Sequence, residues 1–197
     1  MRSPVEDHLK NPDPGFLRGH FVIAMPGLAD PNFEMTVTGI CEHSSEGALG
    51  VIINRILPEI KGKDIFKELK LECNDPALTL PVYFGGPVHM NEIFILHGPP
   101  FDWVGCLKVT PFLAMSNTLD ILKAIAVGKG PASFIIALGC AGWGPGQLEN
   151  EILLNSWVTS PVVEKLIFSL PVDERWKGAM GAAGIDPTLL SHSAGNA

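Results

Sequence analysis

The chain has 197 residues, of which 46% are hydrophobic and 18% are charged, and its formal net charge at pH 7 is −7. This balance excludes an intrinsically disordered chain, and the length suits one domain with a single core. The 14 lysines and arginines are not concentrated in any stretch, so the charge pattern argues against direct binding of nucleic acid.

Neither a secretion signal nor a membrane span is predicted. Residues 1–15 form a polar arm without the apolar core of a signal peptide, and residues 16–197 are expected to form the single domain. The longest uncharged stretch, 130–148, contains five glycines and two prolines, which would leave backbone polar groups unsatisfied in lipid. We therefore expect a cytoplasmic protein with no membrane contact.

Apolar runs bounded by glycine, proline or polar residues predict the strands, and apolar positions at helical spacing predict the helices. The predicted strands are 16–25, 33–41, 48–54, 82–84, 93–96, 107–109 and 133–138. The predicted helices are a short one that begins at Asp64, followed by 118–127, 147–157 and 173–182. Strands come first and helices are then interspersed with strands, an order that favours an α+β fold over a doubly wound parallel sheet.

The four cysteines show no spacing typical of a metal site. Cys41 and Cys140 end apolar runs, where a free thiol behaves as a small buried hydrophobic group. The alternative for Cys41 is a nucleophilic pair with His43, two residues further along the same strand. His97 is interpreted as a strand-end residue that makes backbone hydrogen bonds. We predict no catalytic residue, no metal and no cofactor.

Four stretches also carry a resemblance to a known family: VIAMPGLADPNF at 22–33, GALGVIINR at 47–55, VYFGGPV at 82–88 and GCAGWGPGQLENE at 139–151. Taken in this order, they resemble the AlgH/YqgE-like family of bacterial proteins over nearly the whole chain. The resemblance implies an α+β fold with a mixed, barrel-like sheet and peripheral helices. Some members are labelled transcriptional regulators of polysaccharide synthesis, and the resemblance implies no established activity, cofactor or catalytic residue.

The segment 139–151 is predicted to be a glycine-rich loop between a buried strand and a helix. Such a loop can bind phosphate through backbone N–H groups, but this one lacks both phosphate-binding glycine fingerprints, and Glu149 and Glu151 would repel an anion. The structural alternative is a rigid turn in which Trp143 packs and Gln147 or Glu149 binds exposed amides.

Three polar residues, Gln147, Glu151 and Asn155, are spaced to lie on one side of the predicted helix. This pattern is typical either of a buried polar network or of a row of ligand contacts.

Two further motifs have a structural and a functional interpretation. Gly85-Gly86-Pro87 is predicted to be a tight turn, with a substrate loop as the alternative. Asn54-Arg55 is predicted to make a salt bridge at the rim of the sheet, with a binding site as the alternative.

These observations favour a regulatory or interaction protein that binds an unknown protein partner. The alternative is a small-molecule-binding protein or enzyme whose pocket is formed by the loops at 85–87 and 139–151. A third hypothesis, direct DNA binding, has only the family label in its favour. The candidate ligand-binding residues are Asn54, Gly85, Gly86, Trp143, Gln147, Glu149 and Glu151.

Overall fold

The computed structural model describes residues 16–192, so the predicted arm at 1–15 lies outside the described residues. Ten strands of this part of the chain form one sheet, and six α-helices and two short 3-10 helices lie around it. The strands are β1 His20–Ala24, β2 Val37–Ser44, β3 Gly47–Ile52, β4 Ile56–Lys61, β5 Pro81–Phe84, β6 Val88–His97, β7 Leu107–Thr110, β8 Leu113–Ser116, β9 Phe134–Trp143 and β10 Trp157–Pro161. The helices are α1 Gly62–Glu68, α2 Asp75–Leu78, α3 Leu119–Ala126, α4 Gln147–Leu153, α5 Glu164–Phe168 and α6 Arg175–Ala182, with 3-10 helices at Val172–Glu174 and Pro187–His192.

The sheet is mixed and its strand order is β10-β1-β2-β3-β9-β6-β8-β7, with β5 also paired to β9 and β4 paired to β5. Only β5 and β9 are parallel, and every other pair is antiparallel. The predicted α+β class is therefore confirmed. The two ends of the path, β10 and β7, do not pair, so the sheet is not closed and "barrel-like" describes it only loosely.

Strand β9 is longer than its sequence predicts, because the glycines at its carboxyl end do not stop it. The predicted strand ends at 138, whereas β9 runs to Trp143 with Gly139 at a left-handed φ of 72°. On one edge β9 pairs with β6, and on the other it pairs first with β5 and then, from Ala141, with β3. The first part of the predicted glycine-rich loop is therefore strand.

Gly85 and Gly86 carry the chain across β9, from β5 on one edge to β6 on the other. A Cβ atom on Gly85 would lie 2.1 Å from the Gly139 carbonyl oxygen, and one on Gly86 would lie 2.3 Å from the Cys140 carbonyl carbon. Only glycine permits so close a backbone approach. The predicted tight turn is thus a crossing segment pressed against the backbone of β9.

Helices cover the sheet on both faces, which explains why its central strands are hydrophobic without alternation. In β1, Phe21 and Ile23 face the core beneath α6, while Val22 and Ala24 face the core beneath α4. On α6, the Trp176 indole N–H donates to the Ala24 carbonyl oxygen at 2.9 Å.

Two helix boundaries differ from the predictions. Helix α1 begins at Gly62, and Asp64 lies in its first turn, where its carboxylate accepts from the Lys61 backbone N–H at 2.9 Å. Helix α4 ends at Leu153, because Asn155 takes a left-handed φ of 58° and the chain then enters β10. In the part of the chain that the structure describes, no helix is long and apolar enough to cross a membrane.

Candidate functional site

The carboxylate of Glu151 on α4 is the centre of a polar cluster. Its Oε2 atom accepts from the indole N–H groups of Trp143, at 2.9 Å, and Trp157, at 2.8 Å. Its Oε1 atom accepts from the Gln147 side-chain amide at 2.8 Å. Both indoles are buried, so Glu151 satisfies two donors that would otherwise lack a partner in the core.

Chain connectivity explains why these residues meet. Trp143 ends β9, Trp157 begins β10, and α4 connects the two strands, so Glu151 lies between the two indoles. The two indole rings pack edge to face at 5.9 Å, and the Phe33 ring contacts Trp143 at 5.9 Å and Trp157 at 5.4 Å. The result is an aromatic cluster whose polar edges share one carboxylate.

The start of α4 is stabilised by side chains of the same segment. Gly146, at a left-handed φ of 70°, precedes the helix, and the Gln147 side-chain oxygen accepts from the Gly144 backbone N–H at 3.0 Å. The predicted binding of an exposed amide by Gln147 is confirmed. Of the predicted polar stripe, Gln147 and Glu151 form a network, while Asn155 lies beyond the end of the helix.

Glu149 joins α4 to β2 through His43. The Leu17 backbone N–H donates to His43 Nδ1 at 2.9 Å, so the proton of the neutral imidazole is on Nε2. Nε2 in turn lies 2.9 Å from Glu149 Oε1, to which it donates. His43 is buried, whereas the Glu149 side chain is 43% exposed.

His43 and Trp157 also belong to this cluster, and the sequence does not predict either of them as a member. His43 is separated from Glu149 by 106 positions, and no local pattern indicates such a contact. The sequence predicts Trp157 at the end of a helix, whereas in the structure it begins strand β10. Two acidic residues, Glu149 and Glu151, stand between the two tryptophans in the sequence, and this pattern is the signal that could have indicated a shared carboxylate acceptor.

The other candidate residues form a second group, beside the crossing of β9. The Asn54 side chain binds the backbone at the start of β2. Its oxygen accepts from the Val37 N–H and its amide donates to the Met35 carbonyl, both at 2.8 Å. Phe84 N–H donates to the Arg55 carbonyl, which places Asn54-Arg55 next to Gly85.

Within residues 16–192 Arg55 forms no salt bridge, so the prediction of one is wrong for the described part of the chain. Its guanidinium donates instead to three backbone carbonyls of the β1–β2 connection. These carbonyls belong to Pro31, Asn32 and Glu34. Arg55 therefore fixes that connection, which lines a surface depression of about 330 Å³ between residues 26 and 34.

Cys41 does not pair with His43, because both ring nitrogens of His43 have other partners. The Cys41 thiol donates to the Gly39 carbonyl at 3.6 Å and lies in the core. Burial, with a smaller contribution from the charge of Glu42, raises the pKa of Cys41 to about 12. Burial likewise raises the pKa of Cys140 to about 11, with Glu92 as the smaller cause. The prediction that both thiols are buried is confirmed.

We expect native protein at about pH 8 to react with iodoacetamide at Cys41 and Cys140 more slowly than at partly exposed Cys73, by a factor on the order of 100 or more. A pKa far above the working pH leaves almost no thiolate, and burial excludes the reagent. Peptide mass spectrometry over time measures the rates, and labelling after denaturation in urea is the control. Equal rates at Cys41 and Cys73 in folded protein would contradict this prediction.

Comparisons with known proteins agree with this fold. The family model described as AlgH-like matches residues 21–188. A UPF0301 protein of Desulforapulum autotrophicum is 51% identical over 183 residues, covering 93% of this chain and 97% of the relative. A UPF0301 protein of Rhodospirillum rubrum is 46% identical over 183 residues, covering 93% and 95%.

Two solved structures share the architecture. The solution structure of the AlgH protein from Pseudomonas aeruginosa superposes with a TM-score of 0.78 at 39% identity, covering 95% of this chain and 100% of that one. The crystal structure of protein DIP2367 from Corynebacterium diphtheriae gives 0.70 at 21% identity, covering 89% and 91%, and supports the fold alone. The family model, the relatives and the AlgH structure agree with the resemblance found in the sequence, and the chain belongs to the AlgH-like family.

Proposed function

We propose that this AlgH-like protein has a regulatory role that it performs by binding another protein, and that the carboxyl end of α4 is part of the contact surface. One observation carries the proposal: Leu153 and Leu154 are adjacent, and they are 78% and 77% exposed. Neighbouring leucines held in solvent by a rigid support are typical of an interaction surface, whereas a single exposed leucine needs no explanation.

Backbone hydrogen bonds on both sides of the two leucines hold this support in place. Leu154 N–H donates to the Asn150 carbonyl at 3.0 Å, and Ser156 N–H donates to the Glu151 carbonyl at 2.9 Å. Met25 N–H then donates to the Ser156 carbonyl at 3.0 Å, which joins this turn to the end of β1. A surface that is already ordered loses little conformational entropy on binding.

The charges of α4 indicate the chemistry of the partner. The helix carries Glu149 and Glu151 and has no lysine or arginine, and the whole chain has a net charge of −7. A partner with an apolar groove rimmed by basic side chains complements this surface. In this proposal Gln147, Glu149 and Glu151 hold the helix in place, and the leucines make the contact.

The test replaces Leu153 and Leu154 together by glutamate. Tagged wild-type protein and the variant are compared by quantitative mass spectrometry of the proteins that bind them, and the partner found is purified for titration. In the proposed complex the two leucines are covered by the partner, and glutamate would place charge in that apolar contact. The affinity for the partner is therefore expected to fall by about tenfold or more. Leu189→Glu is the matched control, because Leu189 is 75% exposed in a different part of the fold, and it should leave the affinity unchanged.

A partner that binds the double variant as tightly as wild type would contradict the proposed surface. Reproducible turnover of a metabolite by the pure protein would contradict the proposed class of function.

The small-molecule pocket suggested by the loops at 85–87 and 139–151 stays a prediction. A thermal-shift screen against metabolites and nucleotides tests it directly. A ligand that stabilises wild type but not a folded Gln147→Ala/Glu149→Ala variant would place a ligand site at the start of α4.

A further inference from the structure

A second cluster of reactive side chains lies away from α4, where β6 and β8 end. His97 is the last residue of β6, Ser116 is the last residue of β8, and Cys106 immediately precedes β7. His97 Nε2 lies 2.9 Å from Ser116 Oγ and 3.8 Å from Cys106 Sγ. Two groups that can act as nucleophiles thus meet one imidazole nitrogen.

The hydrogen bonds of His97 determine its tautomer. Nδ1 lies 2.7 Å from the Gly98 carbonyl oxygen, which can only accept, so Nδ1 carries the proton. Nε2 therefore carries one lone pair, which can accept a proton from either the Ser116 hydroxyl or the Cys106 thiol. Burial lowers the pKa of His97, with the bond to Gly98 as a smaller opposing effect, so the imidazole is neutral at pH 7 and able to accept a proton. The Gly98 carbonyl thus orients the His97 imidazole, which lies beside the Cys106 thiol. Nucleophilic catalysis uses this arrangement of a thiol, a base and a group that orients the base.

The thiol of Cys106 is accessible, while the groups behind it are not. Cys106 is partly exposed, whereas His97 and Ser116 are buried. The Phe101 ring lies 5.9 Å from the His97 ring.

Burial leaves the thiol of Cys106 protonated at rest. Burial is the main cause that raises the pKa of Cys106, and Asp102 and Asp120 add to it. The hydrogen bond from Ser116 and the charge of Lys108 act in the opposite direction. Reaction at this thiol therefore requires a base to remove the proton as the sulfur attacks, and His97 is positioned to do so.

We propose that Cys106 is a modification site for soft carbon electrophiles of the α,β-unsaturated carbonyl class, with His97 as its general base. The thiol proton moves to His97 Nε2 as a sulfur lone pair forms the S–C bond to the β-carbon. The electrons of the C=C bond move into an enolate, whose α-carbon then takes a proton from the imidazolium. The thiol has added across the double bond, His97 is neutral again, and no leaving group or oxidant is required.

Cys73 provides an internal control in the same molecule. It is also partly exposed, and among the contacts of the described residues it has no imidazole within hydrogen-bonding distance. Any difference between the two thiols in reaction with one reagent therefore measures the surroundings of Cys106.

The test uses the full chain and limiting N-ethylmaleimide, with the rate at each cysteine measured by peptide mass spectrometry. At about pH 7 we expect Cys106 to react about tenfold faster than Cys73 or more. Between about pH 7 and pH 8 the rate at Cys106 should change by less than about threefold, whereas reaction through free thiolate without a base would raise it about tenfold. In His97→Gln, Cys106 should react no faster than Cys73 and should regain the steep pH dependence.

The pH profile of the wild-type protein decides the proposal even if His97→Gln does not fold. Equal rates at the two thiols, or a rate at Cys106 that rises about tenfold between about pH 7 and pH 8, would overturn it. A folded His97→Gln variant in which Cys106 keeps its advantage would overturn the role of His97 as the base. None of these outcomes depends on the partner surface of α4.

Discussion

Replacing Glu151 with alanine is expected to lower the free energy of unfolding by about 3 kcal/mol, because the indole N–H groups of Trp143 and Trp157 lose the acceptor that satisfies them. For a chain of this size the melting temperature should fall by roughly 6 to 12 °C. Thermal unfolding followed by circular dichroism measures both. The size of the effect follows from the asymmetry of hydrogen bonding, since an unpaired buried donor costs more than the bond itself contributes.

Two further variants isolate the role of the carboxylate. Asn150→Ala changes an exposed neighbour on the same helix and should alter stability by less than about 0.5 kcal/mol. Glu151→Gln keeps one side-chain oxygen as an acceptor and should fall between the two. If Glu151→Ala melted at the same temperature as Asn150→Ala, the cluster would not stabilise the fold as the structure indicates.

The second large effect is expected at Gly85, where alanine should prevent folding or lower the free energy of unfolding by more than about 4 kcal/mol. The new Cβ atom would lie 2.1 Å from the Gly139 carbonyl oxygen and 3.0 Å from the Ala137 Cβ atom. Neither can move without separating β5 from β9. Urea unfolding followed by tryptophan fluorescence measures the loss, and the yield of soluble protein reports failure to fold.

Gly27→Ala is the matched control, because a Cβ atom there meets nothing within 4 Å. It should leave stability within about 0.5 kcal/mol of wild type or raise it slightly by restricting the unfolded chain. Equal free energies of unfolding for Gly85→Ala and Gly27→Ala would contradict the close packing of Gly85 against the backbone of β9.

The glycine-rich segment shows why local patterns misplace a boundary. Glycine weakens a strand when only neighbouring residues are considered, so the run from Gly139 onwards predicts a loop. In the fold, β9 continues because β3 replaces β5 as its partner, and the glycines are needed where the chain crosses. The physical cause is contact between segments far apart in sequence.

Several short elements were not predicted, for a related reason. Strand β8 has the sequence LAMS, which has no β-branched residue, and its pairing with β6 and β7 makes it a strand. The start of strand β10 is predicted as part of the preceding helix, although Asn155, a residue that tolerates a left-handed φ, marks the end of α4. Strand β4 and helices α2 and α5 are also short, with six, four and five residues, and tertiary contacts outweigh propensity in such segments.

The sequence by itself determined the class of fold, the main strands and helices, and the family. Long apolar runs and their periodicity express burial directly, and the four family stretches occur in order along the chain. It also indicated that Trp143 and Gln147 stabilise the turn into α4, because those contacts are local.

Only the tertiary structure decided which side chains of different helices and strands share a hydrogen bond. It placed Glu151 between two indoles, brought His43 to Glu149 across 106 positions, and set His97 beside Cys106 and Ser116. Pairs of this kind depend on strand order and register. The periodicity of apolar residues indicates which face of a strand or helix is buried, but it does not indicate which residues pack against that face.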